Sequence, residues 1–340
     1  MKRFNILLTA GSRRVALVQA FRAALRQIGV PGSVIVTDVN PLSPSVHVAD
    51  RSYRVPMASE ESYITELLTI CEAEQVRLVV PTIDDELVTV AGARDEFKRI
   101  RAIVAASPAE TAAICNDKYE TCVRLRSAGV SAARTWLPVQ ITEDMALPLF
   151  IKPRVGRGAV GAFPVRSEDE LDFFLRDVST PIVQEYLEGP EFTIDVLCDF
   201  DGRPLSIVPR ERVVIRAGVI DRGRTVNDPR LIRLAEQACA ALTFAGPINI
   251  QCRMRGEMPV IFEINPRFSG GIPLTIQAGA DFPVMLLKLA MGRRVDAAIG
   301  NYKSDLWMTS FESSFFVDGE TVGLEPFGSP AQPAHVSEVA

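Results

Sequence analysis

The chain has 340 residues, 47% of them hydrophobic and 23% charged, which is typical of a globular protein large enough for two domains. A formal net charge of −5 and the lack of an apolar run of about 18–20 residues argue against nucleic-acid binding and against a membrane protein. Two histidines, six scattered cysteines and no visible secretory signal disfavour a zinc site and a Ser-His-Asp hydrolase, and predict a cytoplasmic protein.

The first hundred residues alternate apolar strands with amphipathic helices. Strands are predicted at residues 4–10, 33–40, 76–82 and 100–106, and helices at 15–28, 59–74 and 84–97. This alternation predicts a parallel, doubly wound sheet with helices on both faces. The TAGSRR segment after the first strand holds one glycine and no GxGxxG fingerprint, which disfavours a dinucleotide site. Asp84 and Glu86, after the third strand, either cap the next helix or face a ligand crevice at this edge.

A different pattern follows a helix predicted at residues 118–127, which Asn116 or Asp117 would cap. Glycine-rich and charged turns interrupt the strands there, as in antiparallel hairpins, with a clear turn at Asp201–Gly202. A helix at 229–242 precedes two last strands that are joined at Gly256. We expect a Rossmann-like domain at residues 1–112, a second domain at 113–323 with a mobile lid at 135–190, and a loose tail at 324–340.

The segment LFIKPRVGRGAVGAFPV places Lys152 before a loop that contains Gly156, Gly158 and Gly161. Glycines let backbone N–H groups approach an anion closely, and a nearby lysine adds positive charge. The loop is not of the Walker A type, in which the lysine follows the glycines and a helix comes next. The segment is therefore interpreted as an anion-binding loop, with a flexible surface hairpin as the alternative.

The segment IVQEYLEGPEF offers groups that suit a nucleoside. Residues 183–187 are apolar enough to present backbone groups to a planar base. Glu191, just past a Gly-Pro turn, is placed to accept hydrogen bonds from ribose hydroxyls. An ordinary hairpin with solvated glutamates is the alternative.

The segment VIFEINPRFSGG carries Glu263, Asn265 and Arg267 on one face of an otherwise apolar strand. Pairing with INIQCRMR would bring Gln251 next to Glu263. Such oxygen ligands suit Mg²⁺, with Mn²⁺ as a second choice, and Arg267 would stabilise charge on a transferring phosphoryl group. An exposed ion-pair strand is the alternative, although the VIF and INI runs are too apolar for a strand in free solvent.

In this order the motifs resemble the ATP-grasp superfamily, in the branch typified by the carbamoyl-phosphate synthase large subunit, with pyrrolysine-biosynthesis-type ligases nearby. The resemblance covers almost the whole chain. It implies an α/β plus α+β architecture: a Rossmann-like N-terminal sheet that binds no dinucleotide, followed by an ATP-grasp fold whose two parts clamp ATP. One unit and no glutaminase half argue against a complete carbamoyl-phosphate synthase.

The resemblance also implies a role for each motif. The residues expected to bind ATP are Lys118, Lys152, Gly156, Gly158 and Gly161 at the phosphates, Glu185, Tyr186 and Leu187 at the adenine, and Glu191 at the ribose. The expected metal ligands are Gln251, Glu263 and Asn265, and the expected catalytic residues are Arg267, Lys152 and Arg216. Gln251 stands where many relatives carry a carboxylate.

The implied activity is an ATP- and Mg²⁺-dependent carboxylate–amine ligase that forms an amide through an acyl phosphate and releases ADP and phosphate. Its partners would be a small-molecule carboxylate and an amine, one of them resembling an amino acid. A homodimer is the expected assembly. The alternative is a nucleotide-binding accessory or sensor protein of the same fold without ligase activity.

Overall fold

A computed structural model describes residues 3–142, 145–216 and 218–317. Its N-terminal elements are β1 (Asn5–Thr9), α1 (Val15–Gln27), β2 (Val34–Asp38), α2 (Pro44–Val48), β3 (Arg51–Arg54), α3 (Tyr63–Ala73), β4 (Val76–Pro81), α4 (Asp84–Gly92), α5 (Arg94–Arg99) and β5 (Ile103–Val104). The five strands form a parallel sheet of order β3-β2-β1-β4-β5. The predicted parallel sheet is confirmed.

Both faces of this sheet are covered by helices, and the central strands β1 and β2 are accordingly buried at every position. Ile6 and Leu8 of β1 pack with Phe21 of α1, whereas Leu7 packs on the opposite face with Leu67 of α3. Burial on both faces is the property of parallel sheets that distinguishes their strands from alternating ones. The sheet is thus doubly wound, as predicted.

Three details of this part differ from the sequence prediction. The short elements α2 and β3 were not predicted, and both are too brief to show a hydrophobic period. The predicted helix at 84–97 is two helices that share Ala93 as a boundary. The predicted strand at 100–106 pairs only at Ile103–Val104, because β5 is the edge strand and has a neighbour on one side only.

The next elements are α6 (Ala109–Asn116), α7 (Lys118–Ser127), β6 (Thr135–Trp136), β7 (Leu149–Pro153), β8 (Phe163–Val165), α8 (Glu168–Asp177) and β9 (Pro181–Glu185). The predicted helix at 118–127 is confirmed, and the Asp117 carboxylate caps it by accepting from the N–H groups of Tyr119 and Glu120. The strands form a small antiparallel sheet of order β6-β9-β7-β8, covered by α8. Helix α8 was not predicted in this region of hairpins.

The last elements are β10 (Glu191–Cys198), β11 (Pro204–Arg216), β12 (Val219–Thr225), α9 (Pro229–Ala241), β13 (Gly246–Arg255), β14 (Met258–Asn265), α10 (Ile272–Gln277), α11 (Phe282–Ala290) and β15 (Trp307–Thr309). They form an antiparallel sheet of order β14-β13-β10-β11-β12-β15. The turn at Asp201–Gly202 joins β10 to β11, and Gly256 lies in the turn between β13 and β14, both as predicted.

The end of the described chain packs back on the N-terminal sheet. Phe282 and Leu286 of α11 lie in the same core as Phe21 of α1, and the Phe268 ring meets the Phe21 ring edge-on at 5.9 Å. The two large sheets therefore share one hydrophobic core, and the predicted boundary at residues 112 and 113 stays a prediction. The predicted tail at 324–340 lies outside the described residues. In the ranges that are described, no helix is long and apolar enough to cross a membrane.

Candidate active site

The large antiparallel sheet has one apolar and one polar face. Ile250 and Ile264 pair on the apolar face, which packs in the core against α9. On the polar face the strand register sets Gln251 opposite Glu263 and Asn249 opposite Asn265. The alternation in FEIN is therefore that of a strand with one buried and one functional face, and the expected pairing of Gln251 with Glu263 is observed.

Lys152 projects from β7 toward this polar face and is buried. Its Nζ donates to the Phe262 carbonyl oxygen at 3.2 Å and lies 5.2 Å from the centroid of the Phe262 ring. Burial lowers the pKa of the ammonium, and the nearby Glu263 carboxylate partly opposes this shift. Within the described residues, no carboxylate forms an ion pair with Lys152. A buried cation without a counter-ion is suited to an anionic ligand.

The glycine loop between β7 and β8 is held from three sides. Lys118 Nζ donates to the Gly156 carbonyl at 2.5 Å, and Arg157 pairs with Asp85 of α4 at 3.1 Å. On the third side, a Cβ on Gly218 would lie only 3.0 Å from the Gly158 Cα. The tip of the β11–β12 hairpin thus rests directly on the loop, and glycine allows this approach.

These parts enclose a cavity of about 410 Å³. The sequence-predicted residues in its wall are Lys118, Lys152, Gly156, Gly158, Glu185, Tyr186, Leu187, Glu191, Gln251 and Glu263. The wall also holds Arg157, Arg212 and Arg253, so that five basic side chains face three acidic ones. A concave site with apolar walls and an excess of positive charge suits a nucleotide with several phosphates.

Four predicted residues lie outside this wall: Gly161, Asn265, Arg267 and Arg216. Asn265 contacts a residue of the wall directly, since its Nδ2 donates a hydrogen bond to Glu263 Oε1 at 3.1 Å. Arg216 is largely exposed and pairs with Glu312 at 3.3 Å and with Asp221 at 3.7 Å. The structure does not bring Arg216 into the cavity, and its catalytic role stays a prediction.

Three arginines in the wall were not predicted, namely Arg157 of the glycine loop, Arg212 and Arg253. Arg212 Nη1 donates to Glu191 Oε1 at 2.5 Å and to Gln251 Oε1 at 3.4 Å, and Arg253 Nη2 donates to Glu191 Oε2 at 2.6 Å. Burial lowers the pKa of Arg212, and the charge of Glu191 opposes this shift. Arg253 could have been found from its spacing, because it lies two residues beyond Gln251 on the same strand face.

Arg267 reaches the N-terminal sheet. Its Nε and Nη2 both donate to Asp84 Oδ2, at 3.0 and 2.6 Å, and both side chains are mostly buried. Glu86, in contrast, caps its own helix: its Oε1 accepts from the N–H groups of Thr82 and Ile83 at 2.8 and 3.3 Å. Of the two readings left open for these carboxylates, Glu86 fits the cap and Asp84 fits a role at the site.

The oxygen groups around Glu263 suit a metal ion that takes some of its ligands from the substrate. Within the described ranges, no group of three or more His, Cys, Asp or Glu residues could hold a metal ion alone. Glu263 instead has the side-chain amides of Gln251 and Asn265 beside it, each of which carries a neutral oxygen. One carboxylate with neutral oxygen donors suits Mg²⁺, which keeps waters and takes further ligands from bound phosphates.

Comparison with known proteins agrees with this geometry. Residues 177–313 match the family model described as ATP-grasp in the biosynthetic pathway with Ter operon, and residues 6–105 match the PylC-like N-terminal domain. The segment 177–313 therefore belongs to the ATP-grasp superfamily. The family and fold that the sequence predicted are thereby confirmed.

Among sequence relatives, the chain is 24% identical over 307 residues to the carbamoyl phosphate synthase large chain of Thermoanaerobacter pseudethanolicus. The match covers 84% of this chain but only 28% of that relative, so the chain spans less than a third of its length.

Among solved structures, biotin carboxylase from Campylobacter jejuni in complex with β-γ-ATP aligns with a TM-score of 0.70 and 16% identity, over 89% of this chain and 74% of that one. L-amino acid ligase from Bacillus licheniformis aligns with a TM-score of 0.66 and 18% identity, over 86% and 75%. At these identities the structural likeness shows the ATP-grasp fold.

Proposed function

We propose that the protein is an ATP- and Mg²⁺-dependent carboxylate–amine ligase that acts on small molecules, one of them resembling an amino acid. The observation that carries this proposal is the single cavity in which Lys152, Gln251 and Glu263 meet beneath the glycine loop. The L-amino acid ligase among the structural neighbours and the carbamoyl phosphate synthase relatives support it.

In this proposal each part of the cavity has a task. Lys118 and Lys152 bind the ATP phosphates under the glycine loop, and the segment Glu185–Leu187 holds the adenine through its backbone. Glu191 binds the ribose while Arg212 and Arg253 keep its carboxylate in place. A carboxylate retains free lone pairs after accepting two such bonds, so ribose hydroxyls can still donate to it.

Glu263, Asn265 and Gln251 would hold Mg²⁺, and Mn²⁺ has the same ligand preferences. When bound, the ion neutralises charge on the nucleotide phosphates. Arg267, oriented by Asp84, stabilises the phosphoryl group as it passes to the substrate carboxylate. No protein nucleophile is needed, because the substrate carboxylate attacks ATP and an amine then attacks the acyl phosphate. The homodimer expected from the resemblance is a further part of the proposal.

The test is incubation with ATP, Mg²⁺ and a panel of paired carboxylates and amines. Release of ADP and phosphate only in the presence of a particular pair, with formation of the amide, supports the ligase. AMP and pyrophosphate as products would rule out an acyl phosphate. Tight ATP binding without turnover for any pair would favour the accessory or sensor protein.

A further inference from the structure

A second polar cluster lies where the first turn of α4 meets the end of β14. It consists of Arg14, Asp84 and Arg267. Arg267 donates from Nε and Nη2 to one oxygen of Asp84, Oδ2, and from Nη1 to the Phe268 carbonyl oxygen at 3.0 Å. Arg14, at the start of α1, donates from Nη2 to the Thr82 carbonyl at 3.1 Å. Two guanidinium groups and one carboxylate leave the cluster with an excess positive charge.

Arg14 is the member of the cluster whose charge is not compensated. Its pKa is lowered to about 10, mainly by burial and also by the charge of Arg267, whereas Asp84 acts in the opposite direction. Among the described residues, Arg14 forms no ion pair, since Asp84 is already bonded to Arg267. A partly buried cation that faces a like charge costs stability, and a bound anion would offset this cost.

The cluster also has unused hydrogen-bonding groups. Within the described ranges, Asp84 Oδ1 accepts no hydrogen bond, and Arg14 Nη1 donates none. Arg14 Nη1 lies 3.8 Å from the position that a Cβ on Gly270 would take, so the glycine leaves this edge of the guanidinium uncovered. A free guanidinium edge beside a free carboxylate oxygen matches the carboxylate and the ammonium of one α-amino acid.

Two contacts connect this cluster to the nucleotide cavity. Asp85, the neighbour of Asp84, pairs with Arg157, which lines the cavity. Val219 lies 2.9 Å from the Cβ position of Gly270 and follows Gly218, which also lines the cavity. A molecule bound at the cluster would therefore lie beside the glycine loop.

We propose that Arg14 and Asp84 form the subsite for the amine substrate, an α-amino acid whose carboxylate binds Arg14 and whose ammonium binds Asp84 Oδ1. This inference rests on the proposed ligase function and names the substrate class of the same site. The amine attacks the acyl phosphate, a C–N bond forms as the C–O bond to phosphate breaks, and of the two protons lost from the ammonium one leaves on phosphate and one goes to solvent.

The test compares α-amino acids with their amides, which keep the amine but lack the negative charge. Arg14→Met raises KM for the amino acid by about 30-fold, the effect of losing a charge-assisted hydrogen bond, and leaves kcat and KM for ATP nearly unchanged. The amide is already a poor substrate of the unmodified protein, and Arg14→Met weakens it no further. Arg26→Met, an exposed arginine of the same helix, is the matched control and changes neither value.

Equal losses for the amino acid and the amide, or an unchanged KM, would overturn the subsite. Thermal melting distinguishes a binding role of Arg14 from a structural role. Because Arg14→Met removes the repulsion from Arg267, the melting temperature of the ligand-free protein stays level or rises. A clear drop in the melting temperature would also overturn the proposal. If no pair of substrates supports turnover, the ligase proposal fails. Calorimetric titration of the protein with amino acids and their amides then still decides whether Arg14 binds the carboxylate.

Discussion

Asp84 accepts two hydrogen bonds from Arg267 on a single oxygen, and this ion pair joins residues 183 positions apart in the chain. The ion pair fixes the position of the Arg267 guanidinium, which follows β14, relative to the first turn of α4. Arg14 approaches the same carboxylate from the start of α1. The helices on the N-terminal sheet therefore contribute side chains next to the candidate active site.

Replacement of Asp84 by Asn removes the only negative charge of this cluster within the described residues. We expect Asp84→Asn to lower the free energy of unfolding by about 2 kcal/mol, because two guanidinium groups then face each other without a counter-ion. Adding Arg14→Met should restore about 1 kcal/mol, since one of the two charges is gone. Denaturant unfolding of the two single variants and the double variant measures this coupling, and strictly additive effects would contradict it.

Glu263→Gln tests the metal site with little structural change. The amide oxygen can still accept from Asn265, so the melting temperature should stay the same, whereas Mg²⁺-dependent turnover should fall by at least about 100-fold. Glu257→Gln, at the exposed turn of the same hairpin, is the control and should leave turnover unchanged. Activity at the normal level in Glu263→Gln would remove the metal assignment.

Lys152 should matter for ATP and not for folding. Because its ammonium is buried without a carboxylate partner, Lys152→Met should leave the ligand-free protein as stable as before or more stable. The KM for ATP should rise by at least about 30-fold through the loss of a charged phosphate contact. Lys98→Met, on the exposed face of α5, is the control. An unaltered KM would mean that the glycine loop does not cover the phosphates.

The lowered pKa of Lys152 also predicts how ATP affinity varies with pH. In the free protein, burial lowers the pKa of the Lys152 ammonium below its ordinary value of 10.5, and bound phosphates would raise this pKa again. At a pH between the pKa of Lys152 in the free protein and its higher pKa in the ATP complex, ATP binding is accompanied by the uptake of a proton. The affinity for ATP therefore falls as pH rises through the lower of these two pKa values. Lys152→Arg, which stays charged, should flatten this part of a calorimetric pH profile. A slope that persists in Lys152→Arg would assign it to another group.

Gly218→Ala tests the contact between the β11–β12 hairpin and the glycine loop. Both Gly218 and Gly256 have positive φ, so alanine at either position costs about 1 kcal/mol of backbone strain. Only at Gly218 would the new methyl group meet another backbone, that of Gly158. We therefore expect a raised KM for ATP in Gly218→Ala and an unchanged one in Gly256→Ala. Equal kinetics in the two variants would show that the hairpin tip does not support the loop.

The sequence was informative where the chain pairs with itself over short distances. The β13–β14 hairpin has a two-residue period and a glycine turn, which together bring Gln251 near Glu263, and a bulge between Gln251 and Cys252 sets the two residues directly opposite each other. A two-residue period does not describe β11 in the same way, because the register between β11 and β12 shifts on both sides of Val214. Such irregularities change which face a residue occupies, and Arg216 accordingly lies on the exposed side while Arg212 lines the cavity.

Contacts between distant parts of the chain could not be read from local patterns. The bond between Arg267 and Asp84 depends on how the two large sheets dock, and α11 holds them together through a core that no periodicity reveals. Glu191 could be predicted as a site residue, and Arg253 could have been proposed from its spacing, but the bonds of Arg212 and Arg253 to Glu191 depend on a strand pairing that is known only from the fold.

The three supports of the glycine loop have a kinetic consequence. Lifting of the loop to admit a nucleotide would separate Arg157 from Asp85, and Asp85 lies on the same helical turn as the carboxylate that orients Arg267. The loop movement that admits the nucleotide would then also affect how Asp84 orients Arg267. We expect compulsory-order kinetics in which ATP is the first substrate to bind.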